Sequence, residues 1–132
     1  MNFAIGCPKG YEPNPHIVDE AANIASITGA AIEITNNPIE AVSGAHAVYT
    51  DVWTSMGQEA ETAERERAFE GYQVNDQLIS YAAPDAIFMH CLPAHRDSEV
   101  SAEVIDSPRS IVFEQAENRL HVQKAILLTL LN

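Results

Sequence analysis

The chain has 132 residues, one domain's worth and long enough to bury a core; 46% of them are apolar, with no low-complexity tract, as in an ordinary soluble globular protein. The formal charge of −12, with only seven Lys and Arg, argues against nucleic acid as a partner, because phosphate binding needs clustered basic side chains. No apolar run approaches the roughly 20 residues that span a bilayer, so no membrane partner is expected. The first ten residues lack the features of a signal peptide, so a cytoplasmic protein is expected. The acidity mildly favours a cationic ligand, within a screening distance of about 8–10 Å.

In chain order, short apolar runs alternate with longer amphipathic stretches, the pattern of βα units. Residues 3–7 read as a strand closed by Pro8 and Gly10. Pro15 suits a helix start, and Ile17, Val18, Ala21, Ala22, Ile24 and Ala25 recur at helical spacing up to Gly29, a plausible C-cap. Residues 31–34 form the next strand, stopped by Asn36, Asn37 and Pro38. A helix of one or two turns over 39–43 ends at Gly44. Residues 47–50 are a buried strand delivering Asp51, and 54–71 a long loop with a short helix. A helix over 74–82 turns Leu78 and Ile79 inward. Residues 86–90 are a strand, 91–97 the loop at its carboxyl end, and 100–105 a short helix. Residues 110–113 are the last strand. Residues 117–131 are the last helix, with Leu120, Ala125, Leu127, Leu128 and Leu131 available for packing. Five strands separated by helices predict an α/β fold: a doubly wound, Rossmann-like parallel sheet in a single domain over 1–132.

Two segments carry the chemistry, and each is an apolar strand ending in polar side chains. In parallel α/β sheets ligands collect outside the carboxyl ends of strands, so two such ends suggest one shared site. In the first, residues 49–59, Asp51 is placed to receive an ammonium group, Ser55 to add a hydroxyl contact and Met56 to lie against an alkyl chain; Gly57 lets the loop move. The same residues also read as a simple turn, with Asp51 capping Thr54 or Ser55 and Trp53 in the core. The second is His90-Cys91-Leu92-Pro93-Ala94-His95-Arg96. Two cysteines, Cys7 and Cys91, are too few for a disulfide framework, and both read first as buried thiols in a reducing compartment. Zinc at His90, Cys91, His95 and His121 is disfavoured for want of paired Cys-x-x-Cys spacing. A covalent thiol mechanism is disfavoured because no oriented base is evident. A neutral Cys91 beside a substrate amine fits better. Leu92-Pro93 is a candidate cis bond, a kink that would turn the Cys91 and Leu92 carbonyls into the site. Arg119, read at the start of the last helix, either pairs with Glu114 or Glu117 or reaches a ligand oxygen.

Four stretches together resemble the second, ornithine-binding domain of ornithine carbamoyltransferases: residues 8–13, 51–59, 90–93 and 108–119. The Ser-Met-Gly triplet at 55–57 resembles the ornithine-specific loop of that family. The resemblance implies that Asp51 holds the α-amino group of L-ornithine, that Ser55 and Met56 hold its carboxylate and backbone, and that Cys91 sits beside the δ-amino nucleophile. It implies that the Leu92 carbonyl meets that amine or the carbamoyl NH₂, and that Arg119 polarises the carbamoyl oxygen. Cys91 and Arg119 would then be the catalytic pair, with Leu92 and Arg119 touching carbamoyl phosphate. Citrulline and phosphate would be the products, in arginine metabolism, with no metal or organic cofactor. The resemblance starts at the second strand of that domain. The family's Ser-Thr-Arg-Thr-Arg and His-Pro-x-Gln segments are absent, so carbamoyl phosphate is expected to bind only with a complementing N-terminal half. The first strand is central in a 3-2-1-4-5 sheet. Without it the chain is expected to rearrange, self-associate through exposed edges, or take a complementing polypeptide. A non-catalytic amino-acid-binding or interaction module that kept the fold is the alternative.

Overall fold

The computed structural model describes residues 1–54, 57 and 59–131. Strand β1 (Phe3–Gly6) leads through α1 (Pro15–Thr28) to β2 (Ile32–Thr35), and α2 (Pro38–Val42) leads to β3 (Ala47–Thr50). A 3-10 turn (Glu59–Glu61), α3 (Thr62–Ala68) and α4 (Asp76–Ile79) precede β4 (Ile87–His90), α5 (Ala102–Ile105) and α6 (Val112–Leu131).

Local chemistry sets the helix limits. Asn14 accepts a hydrogen bond from the His16 N–H and Asn37 one from Ile39, each just before a proline at the first helical position. Asn75 caps α4 in the same way through Leu78. Gly29 closes α1 at φ 72°, a left-handed conformation that favours glycine.

The strands do not form one sheet. β1 pairs in parallel with β2, and β3 in parallel with β4, with no pairing between β1 and β3. All four nevertheless point one way. Asn36, after β2, donates to the Cys7 carbonyl after β1 and accepts from the Tyr72 hydroxyl. Phe69 touches Tyr11, Trp53 and Tyr72, so the chain beyond β1 and the chain beyond β3 meet in one aromatic cluster. The carboxyl ends therefore gather on one side. The core lies beneath β3 and β4, where Val48, Phe88, Val42, Val74, Leu78 and Val104 pack together.

Several elements differ from their sequence reading. The expected strand at 110–113 shrinks to one parallel bridge between Ser110 and Phe88. Helix α6 begins at Val112, and the first helical bond runs from the Gln115 N–H to the Ile111 carbonyl. A helix buries Val112 and turns Phe113 outward, which fits the helix-forming Glu-Gln-Ala-Glu run at 114–117. The helix expected over 74–82 is only one turn, because Val74 bridges to Val100 and Asn75 caps the single turn of α4. The apolar face of α1 is largely uncovered: Ala25 is buried, but Ile17 and Ile24 are exposed. Leu120, Leu127, Leu128 and Leu131 of α6 are exposed as well.

Gly6 of β1 lies close against α2. A Cβ there would stand 3.0 Å from the Ala41 Cβ and 3.4 Å from the Pro38 Cα. Gly6→Ala is expected to destabilise the fold by about 1–3 kcal/mol through overpacking. Adding Ala41→Gly should recover part of that loss in a double-mutant cycle read by chemical denaturation; strict additivity would show that the two positions do not press on each other.

Candidate functional site

The register of β3 and β4 builds the site. Thr50 lies opposite His90, so the next residues, Asp51 and Cys91, leave the sheet side by side. The Cys91 thiol donates to Asp51 Oδ1 at 3.0 Å, and the same oxygen accepts from the Val52 N–H at 2.7 Å. Asp51 thus caps Val52 rather than Thr54 and stays exposed at the strand end. Burial, then the Asp51 carboxylate, push the Cys91 thiol above its ordinary range, only partly offset by Tyr49. At neutral pH the group is a thiol that donates, not a thiolate that attacks. Burial and Cys91 likewise raise the Tyr49 phenol.

His90 and Glu99 hold the loop beyond β4. His90 is fully buried and Glu99 is 1% exposed. The Leu92 N–H donates to His90 Nδ1 at 2.9 Å, so the ring proton sits on Nε2, 3.2 Å from Glu99 Oε1. That oxygen also accepts from the His95 N–H at 2.7 Å. Two backbone N–H groups of the loop, one on each side of Pro93, are thereby tied to one buried pair. Between them the Leu92-Pro93 bond is cis, as the sequence suggested, and Leu92 has φ 55°. A left-handed leucine costs about 1–2 kcal/mol, and its bond to His90 helps hold it there. Glu99 had no part in the sequence reading. The one legible signal was the alternation of β4, which turns Phe88 and therefore His90 inward.

Gln115 is a second residue the sequence reading missed. Its Oε1 accepts from the His90 N–H at 3.1 Å, satisfying the outer edge of β4 beyond the Ser110 bridge, and its Nε2 reaches the Tyr49 hydroxyl at 3.5 Å. Arg119 lies one turn further along the helix. It is two turns inside α6, not at the helix start, because α6 begins at Val112. It lines a groove with Met89, Gln115 and Val122, and no ion pair holds it among the described residues; Glu117 pairs with His121 instead, at 3.3 Å. Ser55 and Met56 lie outside the described residues.

The geometry is that of a parallel α/β domain with polar side chains converging outside adjacent strand ends, where such folds bind ligands. The sequence pattern of the family described as "Aspartate/ornithine carbamoyltransferase, Asp/Orn binding domain" matches residues 1–130. The chain is 56% identical over 131 residues to the ornithine carbamoyltransferase of Geobacillus stearothermophilus, covering 99% of this chain and 42% of that protein. Among solved structures it superposes on the ornithine carbamoyltransferase of Pyrococcus furiosus with TM-score 0.90 and 50% identity, over 96% of this chain and 41% of that one. The anabolic enzyme of Campylobacter jejuni gives TM-score 0.92 at 40% identity, over 98% and 43%. This chain belongs to the aspartate/ornithine carbamoyltransferase family, in its Asp/Orn binding domain, and spans about two-fifths of the length of these relatives.

Two measurements check the site. Asp51→Asn removes the carboxylate charge that raises the Cys91 pKa, so iodoacetamide labelling of Cys91 at about pH 8 should quicken by about threefold to tenfold. Peptide mapping would separate Cys91 from Cys7, and an unchanged rate would mean that Asp51 does not restrain the thiol. His90→Ala removes one of the two donors to the buried Glu99 Oε1 and the acceptor of the Leu92 N–H, and should cost about 1–3 kcal/mol of unfolding free energy. A loss below about 1 kcal/mol, as for an exposed pair, would show that the His90–Glu99 pair does not hold the fold.

Proposed function

We propose that this domain binds L-ornithine and forms the ornithine side of a carbamoyltransferase site. The observation that carries the reading is the 3.0 Å approach of Cys91 to Asp51 at neighbouring strand ends. The Asp51 carboxylate, exposed and already accepting two hydrogen bonds, takes the α-ammonium group through a charge-assisted bond. Ser55 and Met56 hold the carboxylate and backbone of the amino acid. Cys91, kept as a thiol, stands beside the δ-amine, which must lose a proton before it attacks. The Leu92 carbonyl meets that amine or the carbamoyl NH₂.

Arg119, free of ion pairs among the described residues, supplies positive charge to the carbamoyl oxygen as the tetrahedral intermediate forms, and phosphate then departs. Carbamoyl phosphate needs more basic groups than this chain brings together. Turnover to citrulline therefore requires a second polypeptide region that carries them, and the chain alone binds ornithine without reacting.

The experiment is citrulline formation from ornithine and carbamoyl phosphate by the purified chain, alone and mixed with the remaining portion of the Geobacillus stearothermophilus enzyme. Activity only in the mixture is expected. Asp51→Asn should then reduce kcat/KM by about tenfold to a hundredfold, the worth of one charge-assisted hydrogen bond of roughly 1.5–3 kcal/mol. Absence of turnover in the mixture, from a chain that is folded by circular dichroism and binds ornithine by calorimetry, would favour a non-catalytic amino-acid-binding module.

A further inference from the structure

Helix α6 takes its last hold on the sheet at Gln115. The start of the helix is fixed by its neighbours: Phe88 of β4 bonds to Arg109 and Ile111, and Val112 is buried. After Val112, every described residue of α6 except Gln115 is exposed. Val112, Gln115 and Arg119 follow one another at helical spacing and so share one stripe of the helix. Arg119 lies one turn beyond Gln115, in the groove it lines with Met89, Asn118 and Val122. No ion pair holds it among the described residues, so the helix alone decides where its guanidinium stands.

The amide of Gln115 has one allowed orientation. The His90 N–H can only donate, so the atom that faces it at 3.1 Å is the oxygen Oε1. Nε2 is thereby turned to the Tyr49 hydroxyl, 3.5 Å away, and donates to it. The phenol oxygen accepts that bond and keeps its own proton free to donate. Tyr49 lies opposite Met89 in the β3–β4 register, so alternation puts Tyr49, Asp51, Met89 and Cys91 on one face, the face that α6 covers. There the phenol meets the Cys91 sulfur, which itself donates to Asp51. One side chain of α6 is thus joined to the end of β4 through a backbone N–H and to the Cys91–Asp51 pair through Tyr49.

We propose that Gln115 is the positioning residue for Arg119: it clamps the preceding turn of α6 to both strand ends and so sets the guanidinium relative to Cys91 and Asp51. The proposal rests on the reading of Arg119 as the group that meets the carbamoyl oxygen. A helix pinned at Val112 alone is free to swing about that point, and a second attachment one turn later removes the swing. Arg119 is about 6 Å of helix rise beyond that attachment, close enough to inherit its position. Placement of this kind is worth much to a reaction, since an error of about 1 Å costs on the order of a hundredfold in rate. An apolar side chain at 115 would fill the same space but leave the His90 N–H without an acceptor and α6 without its second hold.

Gln115→Ala removes both bonds and keeps the helix propensity of the position. In the purified chain, amide hydrogen exchange over 116–122 should quicken by at least about tenfold, with Val48 and Phe88 unchanged. Ornithine affinity by calorimetry should stay within about twofold, because Asp51 and Cys91 keep their places. In the mixture with the remaining portion of the Geobacillus stearothermophilus enzyme, kcat should fall by about tenfold to a hundredfold at unchanged KM for ornithine. Added to Arg119→Ala, the same substitution should slow turnover no further, since it acts through Arg119. A merely structural role would weaken ornithine binding and slow both backgrounds alike. That result, or exchange over 116–122 at the parent rate, overturns the proposal. If Gln115→Ala is unfolded by circular dichroism, Gln115→Met, which keeps the volume, is read in the same way. If the parent mixture makes no citrulline, the carbamoyltransferase reading fails, and the exchange measurement alone decides whether Gln115 anchors the helix that carries Arg119.

Discussion

Parallel pairing of β3 with β4, in the register that sets Thr50 opposite His90, is the constraint on which the site depends. Strand alternation then does three things at once. It buries Val48 and Phe88 in the core, turns His90 inward, and delivers Asp51 and Cys91 side by side where the backbone leaves the sheet. A slip of one residue would exchange the faces of every side chain on the strand. The apolar core beneath β3 and β4 therefore enforces the geometry of the polar residues at their ends.

The loop after β4 is held by a different kind of interaction. A left-handed leucine is not a conformation a free loop keeps. The buried His90–Glu99 pair receives the Leu92 and His95 N–H groups and fixes both ends of the turn. Burying such a pair is costly, and substitution of buried pairs by apolar residues is often neutral for stability. Its worth here lies in position: it presents the Cys91 thiol to Asp51. Gln115 extends the same arrangement to α6, since it bonds to the His90 backbone and to Tyr49 one turn before Arg119.

The divided sheet sets the energetic character of the molecule. Apolar residues of α1 and α6, and Phe3 and Tyr49 at the sheet, are exposed on a molecule whose four strands form two separate pairs. Helical periodicity correctly marks Ile17, Ile24, Leu127 and Leu128 as a packing face, yet periodicity cannot say whether the surface they pack against lies within the same chain.

The sequence by itself determined the βα alternation, the proline that starts α1, the glycine that ends it, Leu92-Pro93 as a candidate for the cis bond found there, and the family through its motifs at 51–59 and 90–93. These are local properties, written in residue type and short spacing. The reduction of 110–113 to a single bridge, the start of α6 at Val112 and the resulting place of Arg119 two turns inside that helix were settled by packing against β4. The partners of His90, Glu99 and Gln115 were decided only by tertiary structure. Each of these joins residues from separate elements, and a hydrogen bond depends on where strands and helices lie in space, which neighbours in sequence do not specify.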